Sequence, residues 1–368
     1  MRIGFKGELL DEPQVRAGFI GCGSHAWRNL FPTLQFVPVE LVATCDVDED
    51  RAREFAAHFA AEAYYTDIDE MLENEDLDAV FISTGYDETN HLTHPELTVQ
   101  CLRGGVHVWM EKPPATTCAE VDEMQRAEKE SGKFCMTGLK SMFFPANEKA
   151  VELMQREDFG TPQLITMQRP VNVPEPDDVA RYIAGENVDS AKWLLDHICH
   201  IASVLVLFGG MPDTLYYERT PSSAGAATFH YDSGLVATMS LTHGQAYNGG
   251  IERSMVVGQH GHHVLVENNI RVFYARGPSR PEGQGYGNTP DHFTGPPEHA
   301  TAYWEPEISL GQLYSKGLFT QGFWGEIEEF ARAILEDRRP AKCHSDHIWQ
   351  CTRIFEAFAE GPGKVIEL

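Results

Sequence analysis

Lys112 ends the run VHVWMEK and precedes Pro113, so a carboxylate and an ammonium close an otherwise apolar strand. In WLLDHICHIASVLVLFGG, Asp196 and His200 stand four apart, a spacing that places both on one helical face. A cation at a strand end can stabilise an oxyanion as it forms. A histidine one turn from a carboxylate can be oriented by it and accept a proton near neutral pH. Each feature alone has a bland reading, a solvated strand end or a helix that merely carries histidines. Together they suggest proton transfer at a substrate oxygen, with His197 off that face as a packing or surface residue.

Such chemistry needs a partner for electrons, and GFIGCGSHA supplies a candidate cradle. The pattern Gly21-x-Gly23-x-x-Ala26 follows a strand and opens a helix, and Asp46 ends the next strand twenty-three residues beyond Gly23. Gly21 permits the tight turn, Gly23 lets the backbone approach a diphosphate, and the helix N-terminus through Cys22, Ser24 and His25 offers unpaired N–H groups to its charge. Asp46 would accept from the adenosine ribose hydroxyls and repel a 2′-phosphate. Asp48 and Glu49 add to that repulsion, whereas Arg51 keeps NADP open as the second choice behind NAD.

The elements that must position these groups alternate. VRAGFIG, ELVATCDV, AVFISTG, VHVWMEK and KFCMTGL read as strands, separated by helical stretches near 26–36, 49–61, 94–104 and 117–131. Residues 1–140 are therefore expected to form an α/β Rossmann domain. Residues 141–368 have another texture: TPQLITMQRPV, ATFHYDSGLVATMSL with its Asp-Ser-Gly turn, and SMVVGQHGHHVLVENNIRVFYA predict an open, mainly antiparallel sheet in an α+β domain. The Pro/Gly/His-rich stretch 275–306 reads as a long surface loop, and GEIEEFARAILED and HIWQCTRIFEAFAE as closing amphipathic helices.

With 368 residues the length favours two domains, and 42% hydrophobic with 23% charged residues is the balance of a globular chain. The net charge of −26 disfavours nucleic acid and anionic membrane as partners. No apolar core of signal-peptide length occupies the first twenty residues, and no later stretch reads as a bilayer span. Eight cysteines without a C-x-x-C pair point to reduced thiols and a cytoplasmic setting.

The chain resembles the glucose-fructose oxidoreductase and inositol dehydrogenase family (Gfo/Idh/MocA). The resemblance rests on the glycine turn, Asp46, Ser83-Thr84, Glu111-Lys112-Pro113, Asp196-x-x-x-His200 and FGTP at 159–162, in that order. It implies a cofactor site that includes Ser83, Thr84, His94 and Glu111, a substrate site that includes Lys140, and a sheet domain used for homo-oligomers, dimer or tetramer. It also implies hydride transfer between NAD(P) and a secondary alcohol of a sugar, sugar derivative or cyclitol. Lys112 would hold the oxygen, His200 would take its proton, and Asp196 would fix the histidine or a neighbouring hydroxyl. Further substrate contacts could come from Arg169, Asn172 or His243, and an acidic substrate could use Arg181 or Lys192. The segment GYDETNHLT departs from the usual pattern by several extra residues. The alternatives are a silent NAD-binding sensor of the same fold, and a metal enzyme using HLTH at 91–94, HICH at 197–200 and HGHH at 260–263. No metal is expected on balance, because clusters of this kind are commonly packed or exposed histidines.

Overall fold

A computed structural model of the chain describes residues 12–242, 252–275, 302–307 and 316–368. They gather into two compact units. The first comprises the described residues within Met1–Phe143, Pro176–Ser203 and Ser315–Ala359, and the second those within Phe144–Glu175, Val204–Tyr314 and Glu360–Leu368. The first unit thus adds two later stretches of chain to the N-terminal one.

The first unit is built on β1 (Val15–Ile20), β2 (Val39–Cys45), β3 (Ala63–Tyr65), β4 (Ala79–Ile82), β5 (His107–Met110) and β6 (Cys135–Thr137). These strands form a parallel sheet in the order β3-β2-β1-β4-β5-β6. The order reverses between β1 and β4, which opens a crevice at the carboxyl ends of the strands. Burial on both faces explains why these strands read as continuous apolar runs. Ile20, Val80, Ile82, Val108 and Met110 enter one core cluster. Phe19, Phe81 and Trp109 alternate with them and form ring contacts of their own, Phe19–Phe81 at 5.8 Å and Phe81–Trp109 at 5.7 Å.

A π turn (Ala26–Leu30) and α1 (Phe31–Leu34) follow β1, then α2 (Glu49–Phe59), α3 (Ile68–Asn74), α4 (His94–Arg103) and α5 (Cys118–Ser131). Their limits have local causes. The Asp48 carboxylate accepts from the Asp50 and Arg51 N–H groups at the start of α2, and Thr117 and Glu120 form a reciprocal capping box on α5. The short edge strand β3 and helix α3 were not legible in the sequence.

In the same unit lie α7 (Pro176–Ile183), the part of α8 (Asp189–Gly209) up to Ser203, α9 (Lys316–Thr320), α10 (Phe323–Leu335) and α11 (Ser345–Ala357). Phe330 on α10 meets Phe81 edge-on at 5.4 Å, so a helix late in the chain covers one face of the parallel sheet. Contrary to the sequence reading, one segment among the described residues is long and apolar enough to cross a membrane: α8 has 21 residues, with a mean hydropathy of 1.4 over an 18-residue window. Its apolar window is, however, 67% buried inside the protein.

The second unit carries α6 (Pro145–Met154) and a sheet of nine described strands. These are β7 (Pro162–Arg169), β8 (Thr214–Arg219), β9 (Gly225–His230), β10 (Val236–Leu241), β11 (Arg253–Gly258), β12 (His263–Glu267), β13 (Arg271–Ala275), β14 (Ala302–Trp304) and β15 (Val365–Glu367). The order is β14-β13-β12-β11-β7-β10-β9-β8-β15, and every pairing is antiparallel except β7 with β10. Gly234, at φ +88, completes the Asp-Ser-Gly turn between β9 and β10. The stretch read as a loop over 275–306 contains a strand: Ala302–Trp304 pairs with β13. The remainder of it from 276 to 301 lies outside the described residues, as does His243.

Candidate active site

The turn after β1 is shaped for close approach. Gly21 adopts φ +97, and a Cβ there would stand 2.4 Å from the Ser83 carbonyl oxygen, so only glycine fits. A Cβ on Gly23 would meet nothing within 4 Å, so its bare backbone faces open space. Asp46 is tied to this turn: its carboxylate accepts from the Cys22 N–H at 2.7 Å and from the Asp48 N–H at 2.9 Å. The Cys22 thiol is buried and pushed up to about 12, by burial and then by Asp46, so at this position the backbone contributes rather than the sulfur.

A cavity of about 560 Å³ opens beside the turn, entirely within the first unit. Gly23, Ser24 and His25 line it from the turn, and Ser83, Thr84 and His94 from the segment after β4. Glu111, Lys112, Lys140, Asp196 and His200 complete the expected residues on its wall. Gly21, Cys22 and Asp46 are not on the wall; they set the course of the turn. An open-faced glycine turn at a helix start, a carboxylate at the end of β2 and an adjoining polar cavity fit a dinucleotide.

Two buried groups hold this wall in place. Glu111 lies at the end of β5, with Oε1 2.8 Å from His25 Nε2 and Oε2 accepting from the Lys112 N–H at 2.8 Å. Burial alone would raise its carboxyl, but the His25 hydrogen bond and the charges of His25 and Lys112 keep it below the ordinary value. His94 is 1% exposed. Its Nδ1 lies 2.8 Å from the Pro113 carbonyl and its Nε2 accepts from the Gly85 N–H at 3.2 Å. Those partners require the neutral tautomer with the proton on Nδ1, in keeping with a titration lowered by burial.

The candidate reacting groups come from three elements. Lys112 follows β5 and precedes Pro113 through a cis peptide bond, Lys140 opens a 3₁₀ turn (Lys140–Phe143), and α8 presents Asp196 and His200 one turn apart. His200 Nδ1 lies 3.3 Å from Ser141 Oγ, so a serine hydroxyl orients the imidazole. Asp196 Oδ1 accepts instead from the Tyr86 hydroxyl at 3.0 Å. Of the two partners expected for that carboxylate, the structure joins it to the neighbouring hydroxyl. His200 is driven well below its ordinary value, first by burial and then by Lys112, Lys140, His197 and His25. Burial and the neighbouring cations thus favour its neutral form.

Sequence reasoning missed three residues here. Tyr86 arrives from the extended segment after β4, which the structure closes with a Tyr86–Leu92 bridge and with Asp87 accepting from the N–H groups of Thr89 and His91. Lys192 Nζ reaches Asn90 Oδ1 at 2.7 Å and sits 4.0 Å over the Tyr86 ring. Ser141 follows Lys140 directly. Glu326 on α10 is fully buried, and neither of its oxygens has a hydrogen bond. Its signal was present: in GEIEEFARAILED it falls in register with Phe323, Ile327 and Phe330, a carboxylate on an apolar stripe.

The remaining candidates lie elsewhere. His197 bonds the Trp193 carbonyl at 2.8 Å and packs on its ring, as a packing or surface residue should. Both nitrogens of His94 are already bonded, and His260 and His262 belong to the turn between β11 and β12. Among the described residues no three His, Cys, Asp or Glu side chains are grouped to hold a metal ion. Arg169 is buried in the second unit and donates to Gln168 O, Arg253 O and Ser254 Oγ, while Arg181 is exposed and paired with Glu186.

Residues 15–139 match the oxidoreductase family with an NAD-binding Rossmann fold. That segment is similar to the Gfo/Idh/MocA oxidoreductases. A myo-inositol 2-dehydrogenase of Thermotoga maritima is 29% identical over 193 residues, 48% of this chain and 56% of that protein. A trans-1,2-dihydrobenzene-1,2-diol dehydrogenase of Xenopus tropicalis is 27% identical over 210 residues, 57% of this chain and 58% of its own. The chain thus spans little more than half the length of these curated relatives. A dehydrogenase from Chromobacterium violaceum shares the fold over 95% of this chain and 96% of its own, with a TM-score of 0.76 at 21% identity.

Proposed function

We propose that the protein is an NAD-dependent dehydrogenase of a secondary alcohol on a small polyhydroxylated molecule. The observation that carries the reading is the convergence of Lys112, Asp196 and His200 on the cavity that Gly23 and Ser24 also line. The names of the relatives, dehydrogenases of a cyclitol and of a cyclic diol, support the same class. The turn at Gly21–Ser24 would hold the diphosphate and Asp46 the ribose, and the cofactor would supply a hydride acceptor for the carbinol carbon.

The chain's own groups handle the oxygen. In the tautomer that gives Nδ1–H to Ser141, His200 keeps its Nε2 lone pair for the hydroxyl proton. The Lys112 ammonium holds the same oxygen and stabilises the negative charge as it develops there. Asp196, with Oδ1 engaged by Tyr86, has Oδ2 for an adjacent hydroxyl. The loss of the carbinol hydrogen as hydride and of the hydroxyl hydrogen as a proton leaves a ketone.

The Asp46 carboxylate, followed by Asp48 and Glu49, supports NAD over NADP. One face of the second unit's sheet leaves Met255, Val257, Leu265 and Phe273 only half-buried, which supports a homo-oligomer covering it. Light scattering on the purified protein reads that state directly. Eight free cysteines, all but Cys118 buried, support a cytoplasmic setting.

The test is K112A. NADH should still bind, and oxidation of polyols and cyclitols should fall by roughly 100-fold or more, the scale of losing one preorganised charge-stabilising donor. Near-normal turnover would refute the assignment. A protein that binds the oxidised cofactor, NAD+, yet is inert towards the whole panel would refute the dehydrogenase reading.

A further inference from the structure

Two ammonium groups share one cavity, and only one is needed at the reacting oxygen. Lys140 is the second. Among the described residues its one hydrogen bond is a long contact to Gln321 Oε1 at 3.4 Å, and its Nζ sits 4.2 Å over the Phe323 ring. An ammonium has three donors, so most of its capacity is unused by the described residues.

The acids nearby do not meet that need. Glu111 is committed, with one oxygen to His25 and the other to the Lys112 N–H. Glu326 makes no hydrogen bond to Lys140, and burial, then the charge of Glu111, push it well above its ordinary value against the pull of Lys140. Burial favours the uncharged form of Glu326, and no hydrogen bond ties either of its oxygens to Lys140. Burial also lowers Lys140, and the repulsion of Lys112 adds to that. A cation so placed, desolvated and facing a cavity, is stabilised by an incoming anion.

We propose that the substrate is an anionic polyol, a hydroxy acid of the sugar-acid or carboxylated-cyclitol class, whose carboxylate is bound by Lys140 while its carbinol lies at Lys112 and His200. The proposal rests on the dehydrogenase reading above. A charge-assisted bond from ammonium to carboxylate supplies affinity that a neutral hydroxyl in the same position does not. Selection therefore depends on the charge of the substituent rather than on the number of hydroxyl groups.

The experiment pairs neutral polyols with their acids, D-galactose with D-galacturonate and D-glucitol with D-gluconate, within a panel of aldonic and uronic acids. Binding to the NADH complex is measured by calorimetry and oxidation by NADH formation, for the native protein and for K140M. The acids should be favoured by roughly 10- to 100-fold, the value of a hydrogen bond to a charged group, and K140M should bring the ratio near unity. Equal or better handling of the neutral partners overturns the proposal and leaves the dehydrogenase reading standing. An acid preference that survives in K140M, or a K140M protein whose main loss is NADH affinity, takes the role away from Lys140. Failure of every acid to bind the NADH complex also overturns it. Acid binding that depends on Lys140 without any turnover supports the anion site and refutes the dehydrogenase reading instead.

Discussion

The Tyr86 hydroxyl donates to Asp196 Oδ1 at 3.0 Å, joining the extended segment after β4 to the polar face of α8. Burial first, then the charge of Asp196, raise the Tyr86 phenol, so it remains a donor throughout the working range. Y86F keeps the ring beneath Lys192 and removes only the donor. It should lower kcat/KM by roughly 10-fold, the value of one hydrogen bond to a charged acceptor. The melting temperature should hardly change. A rate unchanged under kcat/KM conditions would mean that Asp196 does not need this partner.

Gly21 and Gly23 should respond differently to alanine. At Gly21 the added carbon meets the Ser83 carbonyl and demands a positive φ, so G21A should destabilise the apoprotein by about 1–3 kcal/mol. At Gly23 the carbon enters open space, so G23A should melt with the native protein yet bind NADH at least roughly 10-fold more weakly, since it intrudes where a diphosphate would approach. Thermal melts with a fluorescence titration separate the two, and equal NADH affinity in G23A would argue against the cradle.

The lowered titration of His200 sets the pH profile. A base whose folded value lies well below 6.5 stays neutral through mildly acid conditions. The acid limb of kcat/KM for alcohol oxidation should therefore fall well below pH 6.5. A limb between 6 and 7 that disappears in H200N would show that His200 titrates as an ordinary histidine.

Glu326 yields the opposite sign. Its raised folded value means that its contribution is present below the unfolded value near 4.5 and is lost as pH rises through the folded value. E326Q should equal the native protein at pH 4–5 and exceed it increasingly above, by at most about 1.4 kcal/mol for each pH unit. Melting curves from pH 4 to 9 would show this. A variant less stable at every pH would make an ionised Glu326–Lys140 pair the stabilising form.

His94 works as a neutral pin between Gly85 and Pro113, so H94L leaves a buried donor and a buried acceptor unpaired and should cost about 2–5 kcal/mol in urea titrations. Its folded value is depressed, as are those of His107 and His344, lowered by burial to about 4. Stability from these groups is complete above about pH 6.5 and is lost as pH falls below it. Acid unfolding should begin before the carboxylates titrate, and H94L should show a shallower decline.

The glycine turn, Asp46 and five of the six parallel strands were legible because each is written in adjacent residues and a fixed period. Helix α3 and strand β3 were not, since a three-residue edge strand carries no alternation to read. β15, also three residues long, was missed for the same reason, whereas β8 was missed although its six residues alternate. The site divides likewise. Lys112, Asp196 and His200 are marked by local spacing, whereas Tyr86, Ser141 and Glu326 matter through neighbours far along the chain. Ser141 bonds His200, fifty-nine residues away, and no periodicity encodes such a pairing.

Asp46 grips the main chain of the glycine turn through the Cys22 N–H. Converting the protein to the phosphorylated coenzyme by trading that carboxylate for a small neutral side chain would consequently unfasten the loop as well as remove the repulsion. A successful coenzyme swap must therefore bring a substitute acceptor for that amide, and variants chosen at position 46 alone should lose affinity for both coenzymes before they gain it for either.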